Sequence, residues 1–257
     1  MPVAASGTPP HWSLPARGAS VALVARRKDR LATLVAEIEA AGGSALALAT
    51  DIADRDQAFA AVAAPLMCAG VTVWEPLRAM NVGLGTRVAV VGLGGLGHLA
   101  VKLAVVLGAD TTVISRTADK AEDVARLGSQ RLLLSTDEAA MSAVRGQFDV
   151  ILDTVAVNHE LAPYLSLLAL DGELCLLGYL GDVSLAATDQ LIGRKKLSSA
   201  GSGDRRRTAE LLEFCAEHQV VADVEVLPST RVEEALERLA RGDVRYRFVL
   251  DMSDLDD

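Results

Sequence analysis

The spacing of apolar residues along this chain switches repeatedly between a period of two and a period near 3.6, which predicts strands and helices in turn. The first part predicts short apolar strands over 19–24 and 44–50. Between them lies a helix over 29–41, carried by Leu31, Leu34 and Ile38 and stopped by Gly42 and Gly43. A helix over 56–64 follows, then another within 65–80 and a turn with two glycines over 81–86. Strands are predicted over 87–91, 111–115, 131–134, 149–152, 173–177 and 196–200. The helices between and after them fall over 97–107, 120–127, 137–144, 159–168 and 206–218. An amphipathic helix over 231–241 and a strand over 245–251 complete the pattern. That strand places Tyr246, Phe248 and Leu250 on one side and Arg245, Arg247 and Val249 on the other. Strands and helices alternating at this pitch imply an α/β protein with a doubly wound parallel sheet. No repeat of a short fixed period occurs.

Composition narrows the class. The 257 residues are 51% hydrophobic but only 4% aromatic, so the core is built from Ala, Val and Leu, which suits buried parallel strands. A formal net charge of -9 argues against nucleic acid and anionic membrane as partners, since both would repel the chain. Cys68, Cys175 and Cys215 lie far apart with no C-x-x-C pair, so no disulfide framework is expected and a reducing, cytoplasmic location fits. The first twenty residues hold no long apolar run, so neither a signal peptide nor a membrane span is expected, and the Pro-, Gly- and Ser-rich stretch 1–15 reads as a loose tail.

One motif carries chemistry. Gly92-Leu93-Gly94-Gly95-Leu96-Gly97 joins the strand over 87–91 to the helix that follows. In a dinucleotide-binding loop of the Rossmann type, Gly92 would permit the tight turn, Gly94 would admit the pyrophosphate, and Gly97 would let helix and strand pack closely. The helix N-terminus would then offer free N–H groups to the phosphates. The alternative is a merely structural glycine turn. The next strand ends Ile114-Ser115-Arg116-Thr117, with no acid before Asp119 to hold a ribose 2′-hydroxyl. Arg116 with Ser115, Thr117 and Lys120 could instead clamp a 2′-phosphate, which favours NADP over NAD. The competing reading makes Arg116 and Lys120 solvated surface charges.

From residue 64 to the end the sequence resembles zinc-dependent medium-chain alcohol dehydrogenases of the cinnamyl alcohol dehydrogenase type. The residues that carry the resemblance are Ala64-Pro65-Leu66-Met67-Cys68-Ala69-Gly70-Val71-Thr72, Val91 to His98, Phe148-Asp149-Val150-Ile151-Leu152-Asp153-Thr154-Val155 and Asp243 to Val249. It implies a Rossmann NADP-binding domain over 64–257, serving hydride transfer between alcohols and aldehydes. It also implies that Thr72, Thr154, Gly178 and Ser202 lie along the nicotinamide side of the cofactor. Cys68 matches the family's third catalytic zinc ligand. The family's other two ligands, a Cys and the His of a Gly-His-Glu motif, have no counterpart here, and the histidines are His11, His98, His159 and His218. One Cys cannot make a zinc site that needs about three protein ligands. The other reading of Cys68 is a remnant that packs as a small buried apolar side chain, and His98 beside the loop reads as structural. The sequence thus supports the cofactor half of an alcohol dehydrogenase and not the zinc half. A non-catalytic NADP-binding module and a zinc-free carbonyl reductase are the alternatives.

The first sixty residues resemble a different family. The run Arg17 to Arg27, then Asp29-Arg30-Leu31, then Thr50-Asp51-Ile52 are similar to the second strand, next helix and third strand of a short-chain dehydrogenase/reductase. There Arg26 and Arg27 would favour NADP and Asp51 would face the adenine; the alternative is a solvated strand end. The glycine loop, Asn-Ala-Gly and Tyr-x-x-x-Lys of that family are absent. Residues 1–63 therefore read as an appended β-α-β fragment. Its strands need partners, expected near 65–74 and at the C-terminal strand, or in a homodimer contact through the same edges.

Overall fold

The computed structural model describes residues 20–25, 28–40, 44–49, 63–178, 181–201 and 203–251. The tail over 1–15, Arg26, Arg27, Asp51, Ser202 and nearly all of the helix expected over 56–64 lie outside the described residues. The chain divides into two compact units, one of residues 1–64, 226–243 and 248–257, the other of 65–225 and 244–247.

The larger unit holds a six-stranded sheet whose neighbouring strands are all parallel. Its strands are β3 (Arg87–Val91), β4 (Asp110–Ser115), β5 (Arg131–Leu134), β6 (Phe148–Asp153), β7 (Leu168–Leu176) and β8 (Lys196–Ser199), laid side by side as β5-β4-β3-β6-β7-β8. The chain therefore builds outward from β3 in one direction, returns to β6 beside it, and builds outward in the other. That reversal is the switch point at which open α/β sheets bind ligands, beyond the C-terminal strand ends. Register brings those ends together: Val91 pairs with Ile114 on one side and with Asp153 on the other.

The interior strands are apolar because both faces are covered. Val88, Ala89 and Val90 are fully buried, and Ile151, Leu152, Leu165, Leu168 and Leu174 join them in the core. Helix α2 (Ala69–Ala79) packs on α3 (Gly97–Val106) and on α8 (Arg205–His218). The fully buried Trp74 anchors it, with its ring 4.7 Å from that of Phe214. The helix predicted within 65–80 is interrupted: a 3-10 turn, Ala64–Met67, precedes Cys68, and the regular helix starts only at Ala69. Between the remaining strands run α4 (Ala121–Arg126), α5 (Glu138–Ala143), α6 (Ala162–Leu167) and α7 (Ala187–Leu191).

The smaller unit has a four-stranded sheet in the order β2-β1-β10-β9, from β1 (Ser20–Ala25), β2 (Ser44–Ala49), β9 (Val224–Pro228) and β10 (Arg247–Asp251). Helix α1 (Lys28–Ala40) connects β1 to β2, which run parallel. Strand β1 also pairs in parallel with β10, Leu23 opposite Leu250, so the N-terminal strands find their partner in the C-terminal strand. Helix α9 (Val232–Arg241) ends at Gly242, whose φ of 71° is the left-handed geometry of a helix stop. Arg238 of α9 lies over the ring of Phe248 at 4.8 Å.

The alternation expected over 245–251 does not survive folding. Tyr246 and Val249 are buried, while Phe248 and Leu250 are only half-buried. The regular strand starts at Arg247, and Tyr246 precedes it, packed in the larger unit against His98. Strand β9 and helix α7 were not expected from the sequence. Both are five residues long, too short for a periodic signal.

Candidate cofactor site

Strand β3 delivers the chain into the glycine loop at the switch point. Gly92 has φ of 86°, a conformation that side-chain-bearing residues rarely adopt, and its N–H donates to the Ile114 carbonyl at 2.9 Å. A Cβ on Gly97 would lie 2.1 Å from the Gly92 carbonyl oxygen, so only glycine lets α3 start this close to the strand. At Gly94 the same construction meets nothing within 4 Å: the space beside it is open. Among the described residues, the N–H groups of Leu93, Gly94, Gly95 and Leu96 meet no acceptor. An open backbone with free donors at the start of a helix suits an anion.

The carbonyls of the loop are held from behind. The His98 ring is fully buried, with Nδ1 3.0 Å from the Gly94 oxygen and Nε2 3.3 Å from the Asp223 nitrogen. Burial, with Arg247 and Lys102 nearby, pushes the imidazole down to about 4. Arg247 Nε donates to the Gly95 oxygen at 3.0 Å. The Thr154 hydroxyl donates to the Val91 oxygen at 2.8 Å, tying the end of β6 to the end of β3.

At the end of β4, Ser115 and Lys120 are half-buried and Arg116 and Thr117 are exposed. Arg116 enters no ion pair among the described residues, so its guanidinium is available to a ligand. Asp119 is already engaged. The Thr117 hydroxyl bonded to it holds its carboxyl below the usual carboxylate range, helped by Lys120 and Arg245.

The residues expected along the nicotinamide side are placed as follows. Thr72 on α2 is nearly buried and donates its hydroxyl to the Gly201 oxygen at 3.1 Å. Gly178 follows β7, where a Cβ would lie 2.0 Å from the Val155 oxygen. Thr154 and Gly178 are thus brought to neighbouring strand ends, with Val155 of the β6 loop against Gly178.

Cys68 corrects its reading as a small buried side chain: it is exposed. It stands between the 3-10 segment and the start of α2. Among the described residues no group of three His, Cys, Asp or Glu side chains could hold one metal ion, so the donor set around Cys68 does not fit a catalytic zinc.

Sequence reasoning did not find the Asp153–His159 pair or the Arg247 contact. Asp153 is fully buried, and its Oδ2 lies 2.9 Å from His159 Nε2. Burial raises its carboxyl, against the pull of the Val155 amide and of His159. An acid closing an apolar strand, with a histidine six residues on, was the available signal.

Residues 95–217 match the family described as zinc-binding dehydrogenase. The chain is 45% identical over 195 residues to an NADP-dependent alcohol dehydrogenase C of Mycobacterium bovis, a match covering 76% of this chain and 56% of that protein. It superposes on a cinnamyl alcohol dehydrogenase of Sorghum bicolor with a TM-score of 0.72 and 42% identity, over 74% of this chain and 55% of that one. A cinnamyl alcohol dehydrogenase of Helicobacter pylori, solved with NADP(H), gives a TM-score of 0.68 and 30% identity over the same shares. The chain thus spans about half the length of the relatives it matches. The likeness of the first sixty residues to a short-chain dehydrogenase rests on the sequence alone.

Proposed function

Because the cofactor-binding segment of this chain belongs to the zinc-type medium-chain alcohol dehydrogenases, we propose that the protein binds NADP(H) at the glycine loop and serves hydride exchange between a small alcohol and its aldehyde. The observation that carries the reading is the row of free amides from Leu93 to Leu96 beside the open flank of Gly94. The loop Gly92, Leu93, Gly94, Gly95, Leu96 and Gly97 would hold the pyrophosphate. Ser115, Arg116, Thr117 and Lys120 would hold the 2′-phosphate, and Thr72, Thr154, Gly178 and Ser202 would line the nicotinamide. The bound cofactor would supply or accept the hydride. The chain's own part is to orient it and, through Arg116, to prefer the phosphorylated form. Among the described residues no helix is long and apolar enough to cross a membrane. A cytoplasmic setting, where three free thiols stay reduced, fits this reading.

A second reading, an NADP(H)-binding module without turnover of its own, is favoured because among the described residues no three His, Cys, Asp or Glu side chains gather around Cys68. Titration with NADPH and NADH, followed by aldehyde reduction with and without added zinc, separates the two. NADPH binding with turnover supports the enzyme, and binding without turnover supports the module. In Arg116→Ala, NADPH affinity is expected to fall by about 1.5–3 kcal/mol, the worth of a charge-assisted hydrogen bond, with NADH unaffected. An unchanged NADPH-to-NADH ratio overturns the 2′-phosphate assignment.

A further inference from the structure

Gly94 and Gly95 are consecutive glycines, so the peptide unit between them has unusual freedom to rotate. It is held in one orientation by His98. The Asp223 N–H can only donate, so His98 Nε2 must accept from it. The ring is then neutral, with its proton on Nδ1, and Nδ1–H donates to the Gly94 oxygen. The same oxygen accepts the backbone N–H of His98 at 3.0 Å, so both of its lone pairs are used. The ring itself cannot swing away: Tyr246 stacks on it with centroids 4.7 Å apart. Asp223, the partner of Nε2, is anchored through its carboxylate by Lys102 and by Arg126 at 2.6 Å. A trans peptide unit is planar, with C=O and N–H pointing in opposite directions. Fixing the Gly94 carbonyl on the helix side therefore aims the Gly95 N–H away from it.

We propose that His98 is a positioning residue for the cofactor: by holding the Gly94 carbonyl it presets the Gly95 amide that meets the pyrophosphate. The proposal rests on the reading of the loop as an NADP(H) site. It assigns His98 a role in binding and none in hydride transfer.

The test compares His98→Leu, which removes both ring contacts, with His98→Asn, whose amide nitrogen can replace Nδ1 but cannot reach Asp223. Amide hydrogen exchange at Gly95 is measured in the cofactor-free protein, NADPH affinity by fluorescence titration, and melting temperature alongside. In the Leu variant Gly95 is expected to exchange faster and NADPH to bind about tenfold more weakly, the factor one hydrogen bond commonly carries. The Asn variant is expected to recover both while its melting temperature stays low, since the Asp223 contact is still lost. Unchanged exchange and affinity in the Leu variant overturn the proposal, as does an Asn variant no better than Leu. Should the Leu variant not fold, His98→Gln takes its place; it can reach Asp223 but not Gly94, and affinity as in the unaltered protein overturns the proposal. If the unaltered protein binds no dinucleotide, the cofactor reading fails, and the exchange of Gly95 still decides whether His98 orients the loop.

Discussion

His159 Nε2 and Asp153 Oδ2 stand 2.9 Å apart at the end of β6, and the other nitrogen of the ring, Nδ1, lies 2.9 Å from the Val157 oxygen. A carbonyl can only accept, so Nδ1 carries a proton, and a further proton sits between Nε2 and the carboxyl. Asp153 is fully buried, and that burial raises its carboxyl while the Val155 amide and His159 pull it back down. The pair ties the loop that follows Thr154 back to the end of β6.

Asp153→Asn keeps a hydrogen-bond donor facing Nε2 and an acceptor for the Val155 amide, so a cost of about 1 kcal/mol or less is expected. Asp153→Ala leaves Nε2 and the Val155 amide without their acceptor or donor and should cost about 2–3 kcal/mol. Urea unfolding of both variants checks this. Equal losses would mean that the pair is an ion pair, which Asn cannot replace.

Gly97 and Gly94 should fail in different ways. A Cβ at Gly97 meets backbone at 2.1 Å, so Gly97→Ala must displace α3 from β3 and lower the melting temperature. Gly94→Val meets no protein atom within 4 Å of its Cβ, so the fold should persist while NADPH binding is lost. A Gly94→Val variant still stabilised against heat by NADPH would show that the pyrophosphate does not lie there.

His98 should make the fold acid-sensitive. The unfolded chain takes up its proton near pH 6.5, the folded protein only near pH 4. Between these values the unfolded state binds more protons, so stability falls as the pH drops through this window and levels off below it. The full loss is about 3 kcal/mol. Asp153 acts in the opposite sense, since its raised carboxyl favours the folded state in acid. The difference between the unaltered protein and His98→Asn therefore isolates the histidine. Urea unfolding at intervals from pH 7 to pH 4 should show a shallower decline in the variant, and parallel curves would refute the assignment.

The N-terminal segment should be required for solubility. Strand β10 pairs with β1, Leu23 opposite Leu250 and Val24 opposite Asp251. Removal of residues 1–59 uncovers that edge of β10, and an unpaired edge templates association. The truncated protein is expected to melt lower or to aggregate on gel filtration. Equal solubility and an equal melting temperature would show that β1 contributes nothing to β10.

Much of the larger unit was legible because its signals are local. Val88 to Val91 read as a buried strand, and the glycines stood at the spacing of a tight turn from strand into helix. Each is a property of a few consecutive residues whose backbone conformation or burial the side chains themselves dictate. Cys68 shows the limit of that reasoning, since a residue type that is usually buried is exposed here, just before the regular helix begins.

Sequence alone determined the alternating elements, the parallel sheet and the place of the glycine turn, because periodic burial and glycine conformation are written residue by residue. Tertiary structure decided what holds the loop and closes the second sheet. His98 meets Asp223, Arg247 meets Gly95, and Leu23 meets Leu250 only after more than a hundred intervening residues have folded between them. Such contacts leave no periodic trace. A buried donor or edge strand must find some partner, but which partner it finds depends on where the intervening chain brings it.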